Sequence, residues 1–204
     1  MRERFRSHRV IVIGVGCALL LALGIAVQAA TQNLFARELV PLFDSAQGGS
    51  AIGTVTPGTA LQPAAQSAGR TSVTIDGWSQ QGGETVVYSA VGQRIVLATL
   101  TSAGLSHRQV LDTTHDAYGN TWDHVQVTGF ADNAELVPDV DTVWGAARQL
   151  YSTRCSACHA LHATTDFTAN QWPGILQTME KNAALDPQQS ALITQYLQTH
   201  ARAP

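Results

Sequence analysis

Cys155, Cys158 and His159 stand in the order C-x-x-C-H, and no other feature of the chain restricts its fold as strongly. On one helical turn two thiols at this spacing reach the two vinyl groups of a haem, and the histidine that follows lies under the iron as its proximal ligand. Three other chemistries use part of the same pattern. Zinc would need two further ligands, for which His162, Asp166 or His200 could be recruited, but the sequence has no second C-x-x-C. A thioredoxin-like dithiol expects a preceding strand in a βαβ unit, whereas this motif closes a helical pattern. A plain disulfide leaves His159 without a role. The pattern therefore predicts one covalently attached haem c.

The residues around the motif read as helices. Asp141 can cap "TVWGAARQLYSTRC", in which Val143, Ala147, Leu150 and Tyr151 share one face. Asn170 precedes "QWPGILQTMEKN", where Pro173 fits a first turn. Asp186, Pro187 and Gln189 resemble a capping box opening "PQQSALITQYLQTHA", with Leu192, Ile193, Tyr196 and Leu197 as its apolar stripe. Three short helices make too small a core to stand without a staple or a large ligand. A macrocycle fixed to the chain supplies the missing apolar surface. Met179 is the only methionine besides Met1 and falls in the helix after the haem motif, so it is the expected distal ligand. Among the histidines, His162 is too near His159 to cross the haem. His200 could reach from the last helix but better suits a helix C-terminus, where the dipole favours a partly positive imidazole, and His115 or His124 would have to come from the β part. Tyr151 and Trp172 are expected to pack around the porphyrin, Trp172 at its exposed edge. Met/His ligation saturates the iron and favours electron transfer over catalysis, so no catalytic residue is expected.

The N-terminus points to a bilayer. Arg2, Arg4, Arg6 and Arg9 precede 21 residues, Val10 to Ala30, without a charge. That is the pattern of an export segment whose basic end stays in the cytoplasm, and its length suits a retained anchor. Without residues 1–10, eight basic residues face fourteen acidic ones, a net charge of −6. Such a chain lacks the clustered Lys and Arg that nucleic-acid binding needs.

Residues 31–50, ending in Gly and Ser, lose apolar periodicity and read as a tether. From Ala51 to about Leu136 the signals are β: "TSVTID", "ETVVYS", "RIVLATL" and "HVQVTGF" are rich in Val, Ile and Thr and separated by turn formers. Val73, Ile75, Gly77 and Trp78 recur after 52 residues as Val125, Val127, Gly129 and Phe130. One explanation is two related small barrel units, each ending in a strand that turns at Gly and buries an aromatic. The other is chance likeness between two half-buried strands. Alternation turns His124 to solvent.

Taken together, "TSVTIDGWSQQGGETVVYSAVGQRIVLATLT" and "YSTRCSACHALH...TANQWPGILQTM" resemble the C-terminal part of the pentahaem cytochromes c that serve periplasmic trimethylamine N-oxide and related S- or N-oxide reductases. The resemblance covers residues 51–204. It implies that Cys155, Cys158 and His159 carry haem c with Met179 as distal ligand. It also implies that the haem domain takes electrons from a tetrahaem part and passes them to a molybdenum reductase. The family's tetrahaem segment has no counterpart in residues 1–50, which puts direct quinol oxidation by this chain in doubt.

The expected architecture is α+β: a transmembrane helix (1–30), a tether (31–50), a small β-barrel-like module of SH3-like type with duplication as one reading (51–138), and a small all-α, class I-like cytochrome c domain (139–204). The expected protein sits in the bacterial inner membrane through residues 10–30, crosses once, and faces the periplasm. It transfers single electrons from a quinol dehydrogenase cytochrome to a reductase. The alternative is a haem-based redox or gas sensor whose β module contacts a signalling partner.

Overall fold

The computed structural model describes residues 32–67 and 69–203. The expected transmembrane helix lies outside them. Among the described residues no helix is long and apolar enough to cross a membrane. Ten strands come first: β1 (Leu34–Ala36), β2 (Val40–Phe43), β3 (Ala51–Val55), β4 (Ala60–Gln66), β5 (Arg70–Gln80), β6 (Val86–Ala90), β7 (Gln93–Leu100), β8 (Arg108–His115), β9 (Thr121–Asp132) and β10 (Leu136–Val137). Three helices follow: α1 (Val140–Cys155), α2 (Trp172–Gln177) and α3 (Pro187–Thr199). The chain is sheet-rich with a few helices.

All strand pairs are antiparallel, and β5 is their hub. It pairs along its whole length with β9, from Arg70↔Asp132 to Gln80↔Trp122. Its other edge is shared by β4 over its first half and by β6 at Trp78↔Tyr88. From β6 the pairing passes through β7, β3 and β2 and returns to β9 at Phe43↔Phe130, so it closes on itself. Period-2 alternation sends Val73, Ile75, Val125 and Val127, all 0% exposed, into one cluster with Leu42, Ile52, Val55, Leu61 and Val87. Each such side chain contributes about 1.5–3 kcal/mol of burial free energy.

Three expectations are corrected here. Residues 31–50 are not a tether throughout: Leu34–Ala36 and Val40–Phe43 are strands, and Ala36, Val40 and Leu42 are fully buried. The two similar segments do not build separate units. They are β5 and β9, paired to each other with Val73↔Gly129, Ile75↔Val127 and Gly77↔Val125, over one shared core. Nor do they bury their aromatics. Trp78 and Phe130 are half-buried on the opposite face, where Trp78 stacks on His124 at 4.8 Å. The glycines, by contrast, are inside. A Cβ on Gly77 would sit 2.7 Å from the Tyr88 carbonyl oxygen and one on Gly129 2.6 Å from Leu42 Cγ, so these positions admit a closely crossing strand.

The helical segment has its own apolar cluster, built on Ala147, Tyr151, Cys155, Trp172, Leu176, Ile193, Tyr196 and Leu197. It does not stand apart from the sheet. Trp144 of α1 packs over Gly58, whose φ of +76° and missing side chain make room for the indole. Side-chain amides then bond the helices to strand backbone. Asn170 accepts from Arg94 N (2.7 Å) and donates to the Gly92 carbonyl (2.9 Å). Gln195 donates to the Val96 carbonyl (2.7 Å), Gln198 to the Arg94 carbonyl (3.0 Å), and Gln188 accepts from Leu39 N (2.7 Å).

Candidate functional site

Helix α1 begins two residues earlier than its sequence suggests. Asp139, not Asp141, is the N-cap, and its carboxylate accepts from Asp141 N at 2.9 Å. At four-residue spacing, Val143, Ala147, Tyr151 and Cys155 then form one buried stripe. Cys155 closes that stripe as the last helical residue, 8% exposed. One further turn of chain brings Cys158 and His159 to the surface. Both thiols are free, and burial pushes that of Cys155 up in pKa, with Cys158 beside it adding to the shift.

The orientation of His159 is set by one bond. Its Nδ1 lies 2.6 Å from the Ala160 carbonyl oxygen. A carbonyl only accepts, so Nδ1 is the donor in this bond and Nε2 is the ring nitrogen left outside it. A metal-binding histidine is oriented in this way. The residues present therefore fit a covalently attached haem: two free thiols one turn apart, and an exposed imidazole with Nε2 available to iron.

The segment after the motif is pinned from both sides. Tyr151, on the α1 stripe, donates its hydroxyl to the His162 carbonyl at 2.9 Å, and burial pushes its pKa up to about 12. Trp172 donates Nε1 to the Thr164 carbonyl at 2.9 Å. Rings form a row from the motif to α2: His159 to His162 at 5.7 Å, His162 to Phe167 at 5.2 Å, Phe167 to Trp172 at 4.9 Å. Trp172 is 0% exposed, so it is core and not the exposed edge expected of it.

Met179 lies outside a helix. α2 ends at Gln177, and Met179 sits in the turns that follow, half-buried, with its N–H donated to the Leu176 carbonyl at 2.8 Å. Leu176 belongs to the same apolar cluster as Cys155, and Met179 itself is not part of that cluster. Three other histidines have partners of their own. His200 caps α3 through Nδ1 to the Tyr196 carbonyl (2.8 Å), His124 pairs with Asp76 (2.8 Å) on the outer sheet face, and His162 faces Asp166 at 3.4 Å. Among the described residues no three His, Cys, Asp or Glu side chains are grouped to hold a metal ion.

Two thiols and a histidine oriented through its Nδ1 are the donor set of a c-type cytochrome. Comparison with known proteins agrees. Residues 28–136 match the family model for the TorC third cytochrome c domain, and residues 151–204 that for dihaem cytochrome c. The first match covers more than half of the chain, which belongs to the TorC-type cytochrome c family. The cytochrome c-type protein TorY of Haemophilus influenzae is 35% identical over 130 residues, 63% of this chain and 35% of that protein. TorY of Escherichia coli O157:H7 is 32% identical over 176 residues, 86% of this chain and 47% of that protein. TorC of Escherichia coli strain K12 is 26% identical over 171 residues, 83% and 44% respectively. The chain thus spans between about a third and a half of the length of the curated relatives it matches. No solved structure matches it. The first matched region, 28–136, contains no cysteine, and both motif cysteines fall in the second.

Proposed function

We propose that this chain is a monohaem electron carrier, exported and held at the inner membrane by residues 10–30, that passes single electrons in an N- or S-oxide reductase system. The observation that carries the reading is the His159 Nδ1 bond to the Ala160 carbonyl, which leaves Nε2 to bind iron. Cys155 and Cys158 would hold the haem by thioether bonds, His159 would be the proximal ligand and Met179 the distal one. Bound there, haem supplies a one-electron centre whose Met/His ligation leaves no position for substrate. The protein's own part is to orient His159 through Ala160, to fix residues 160–167 through Tyr151 and Trp172, and to present Cys158 and His159 at the surface, where a redox partner can approach.

The count of one haem rests on the single C-x-x-C-H in this sequence. Residues 139–204 are the proposed haem domain, and the closed strand pairing supports a barrel-like docking or spacing module before it. The proposed acceptor is a molybdenum reductase and the proposed donor a separate quinol dehydrogenase cytochrome; membership of the TorC-type cytochrome c family supports redox partners of this kind. The net charge of −6 beyond residue 10 favours a basic docking face on a partner, with electron transfer that slows as salt rises.

Optical redox titration of the full, haem-loaded chain tests the reading, with CO added to the reduced form and Met179→Ala beside it. Wild type is expected to be low-spin, to titrate as one centre and to ignore CO, whereas Met179→Ala binds CO and shifts to lower potential. Ready CO binding by wild type, or identical behaviour of Met179→Ala, removes Met179 from the iron and turns the reading to a sensor or a bis-histidine carrier.

A further inference from the structure

A cleft of about 620 Å³ opens between the sheet and the helices, within the size range of small-molecule sites. Its wall on the sheet side is aromatic. Tyr88 and Trp122 meet edge to face at 5.7 Å, and Tyr118, on the turn between β8 and β9, stands on the same lining with its side chain 92% exposed. An aromatic ring held so far out of the fold has no packing role, and here it extends the aromatic lining.

The polar groups of the cleft are unequal in what they can still bind. Asp116 is filled: one carboxylate oxygen accepts from Tyr118 N and Asn120 N, the other from Asn120 Nδ2 and Trp122 Nε1. Gln195 is 5% exposed, with Nε2 held by the Val96 carbonyl at 2.7 Å. Neither its Oε1 nor that of Gln198, which is 3% exposed, accepts a hydrogen bond among the described residues, and both residues line the cleft, so each is an acceptor left for a ligand. Arg94 lines the same space. Its backbone is tied down by Asn170 and Gln198, but among the described residues its guanidinium makes no ion pair or hydrogen bond. The cleft therefore offers one uncommitted cation, two buried acceptors and an aromatic wall.

We propose that this cleft binds a small aromatic acid carrying a hydroxyl or amino donor, with its ring against Tyr88 and Trp122, its carboxylate on Arg94 and its donor on Gln195 Oε1. Cation, acceptor and wall come from β7, α3 and the β6 and β9 strands, so a bound acid touches both the sheet and the helical segment. Guanidinium and carboxylate match in geometry and charge, which makes Arg94 the residue that separates an acid from a neutral ring.

The test is a titration of the full, reduced, haem-loaded chain with 4-hydroxybenzoate, read by calorimetry and by the proton resonances of the Trp122 indole and the Gln195 side-chain amide. Benzoate serves as the donor-free probe and phenol as the uncharged one. The expected result is saturable binding of 4-hydroxybenzoate that shifts both resonances, with benzoate and phenol weaker. In Arg94→Gln, a surface change that leaves the fold intact, Kd should rise about tenfold. Absence of saturable binding at ~10 mM, a Kd unchanged in Arg94→Gln, or shifts confined to residues outside the cleft would each overturn the proposal. The haem spectrum and its response to CO are separate readouts, so the outcome does not depend on the reading of Met179.

Discussion

Asn170 is the residue whose removal most directly tests how the helical segment is held to the sheet. Its side-chain amide bonds both backbone groups offered by the turn between β6 and β7, accepting from Arg94 N at 2.7 Å and donating to the Gly92 carbonyl at 2.9 Å. A hydrogen bond of this kind contributes about 1 kcal/mol net. Gly92, Arg94 and Asn170 are all exposed, so water can replace the lost partner and no buried group is stranded. Asn170→Ala should then cost about 1–2 kcal/mol, or about 3–6 °C in Tm for a domain of this size. Asn170→Asp separates the two bonds: its carboxylate still accepts from Arg94 N but has no proton for the Gly92 carbonyl, so about half of the loss or more should remain. Urea unfolding followed by tryptophan fluorescence and by far-ultraviolet circular dichroism measures both variants, with the midpoint falling and the slope unchanged. If both stay within about 0.3 kcal/mol of wild type, the amide is not a clip and the attachment of the helices lies elsewhere.

The remaining predictions concern charge. Asp123 and Arg108 form an ion pair at 2.9 Å with both side chains 10% exposed, so Asp123→Ala leaves a guanidinium without its partner and should cost about 3 kcal/mol in urea unfolding, with Asp123→Asn costing less. Asp116 is held at a pKa of about 2, from 3.8, first by the Asn120 amide and then by the Trp122 indole. A lowered carboxyl pKa gives stability that is present above the unfolded value and lost as pH falls through the folded one. The turn between β8 and β9 should therefore loosen between about pH 4 and pH 2, seen as faster amide exchange at Tyr118 and Asn120, while Asp116→Asn should show that fast exchange already at neutral pH.

Much of the sheet is legible because alternation records burial. Strands β5, β7 and β9 each contain one of the four Val-, Ile- and Thr-rich segments, β6 holds all but the first two residues of the fourth, and Asp186 with Gln189 forms the expected capping box of α3. The short strands hid for a physical reason. β1 and β2 have three and four residues, β2 contains Pro41, and Arg37 and Glu38 stand between them, so alternation never runs long enough to be read. The apparent repeat shows a different limit. Segments around Gly77 and Gly129 look alike because they face the same core from paired strands, each glycine opposite the other's valine, and a common environment imitates duplication. At the site, the motif itself names Cys155, Cys158 and His159, whereas the Ala160 carbonyl that fixes the imidazole carries no side-chain signal. The amides of Asn170, Gln188, Gln195 and Gln198 were equally silent. Their partners are backbone atoms far away in sequence, and on α3 Gln195 and Gln198 occupy positions that periodicity assigns to solvent.

The closure of the strand pairing at β9 sets an order on how the polypeptide can mature. Phe43 waits for Phe130, and every residue of β5 waits for its partner in β9, so the sheet stays open until nearly two thirds of the chain is available. The last strand to arrive lies immediately before α1, whose final residue is the first cysteine of the haem motif. Helix α1 therefore gains the surface it docks on, around Gly58, just before Cys155 and Cys158 emerge. A chain stalled before Thr121 would present an open edge on β5 with no apolar partner, a target for proteolysis or aggregation rather than for haem attachment.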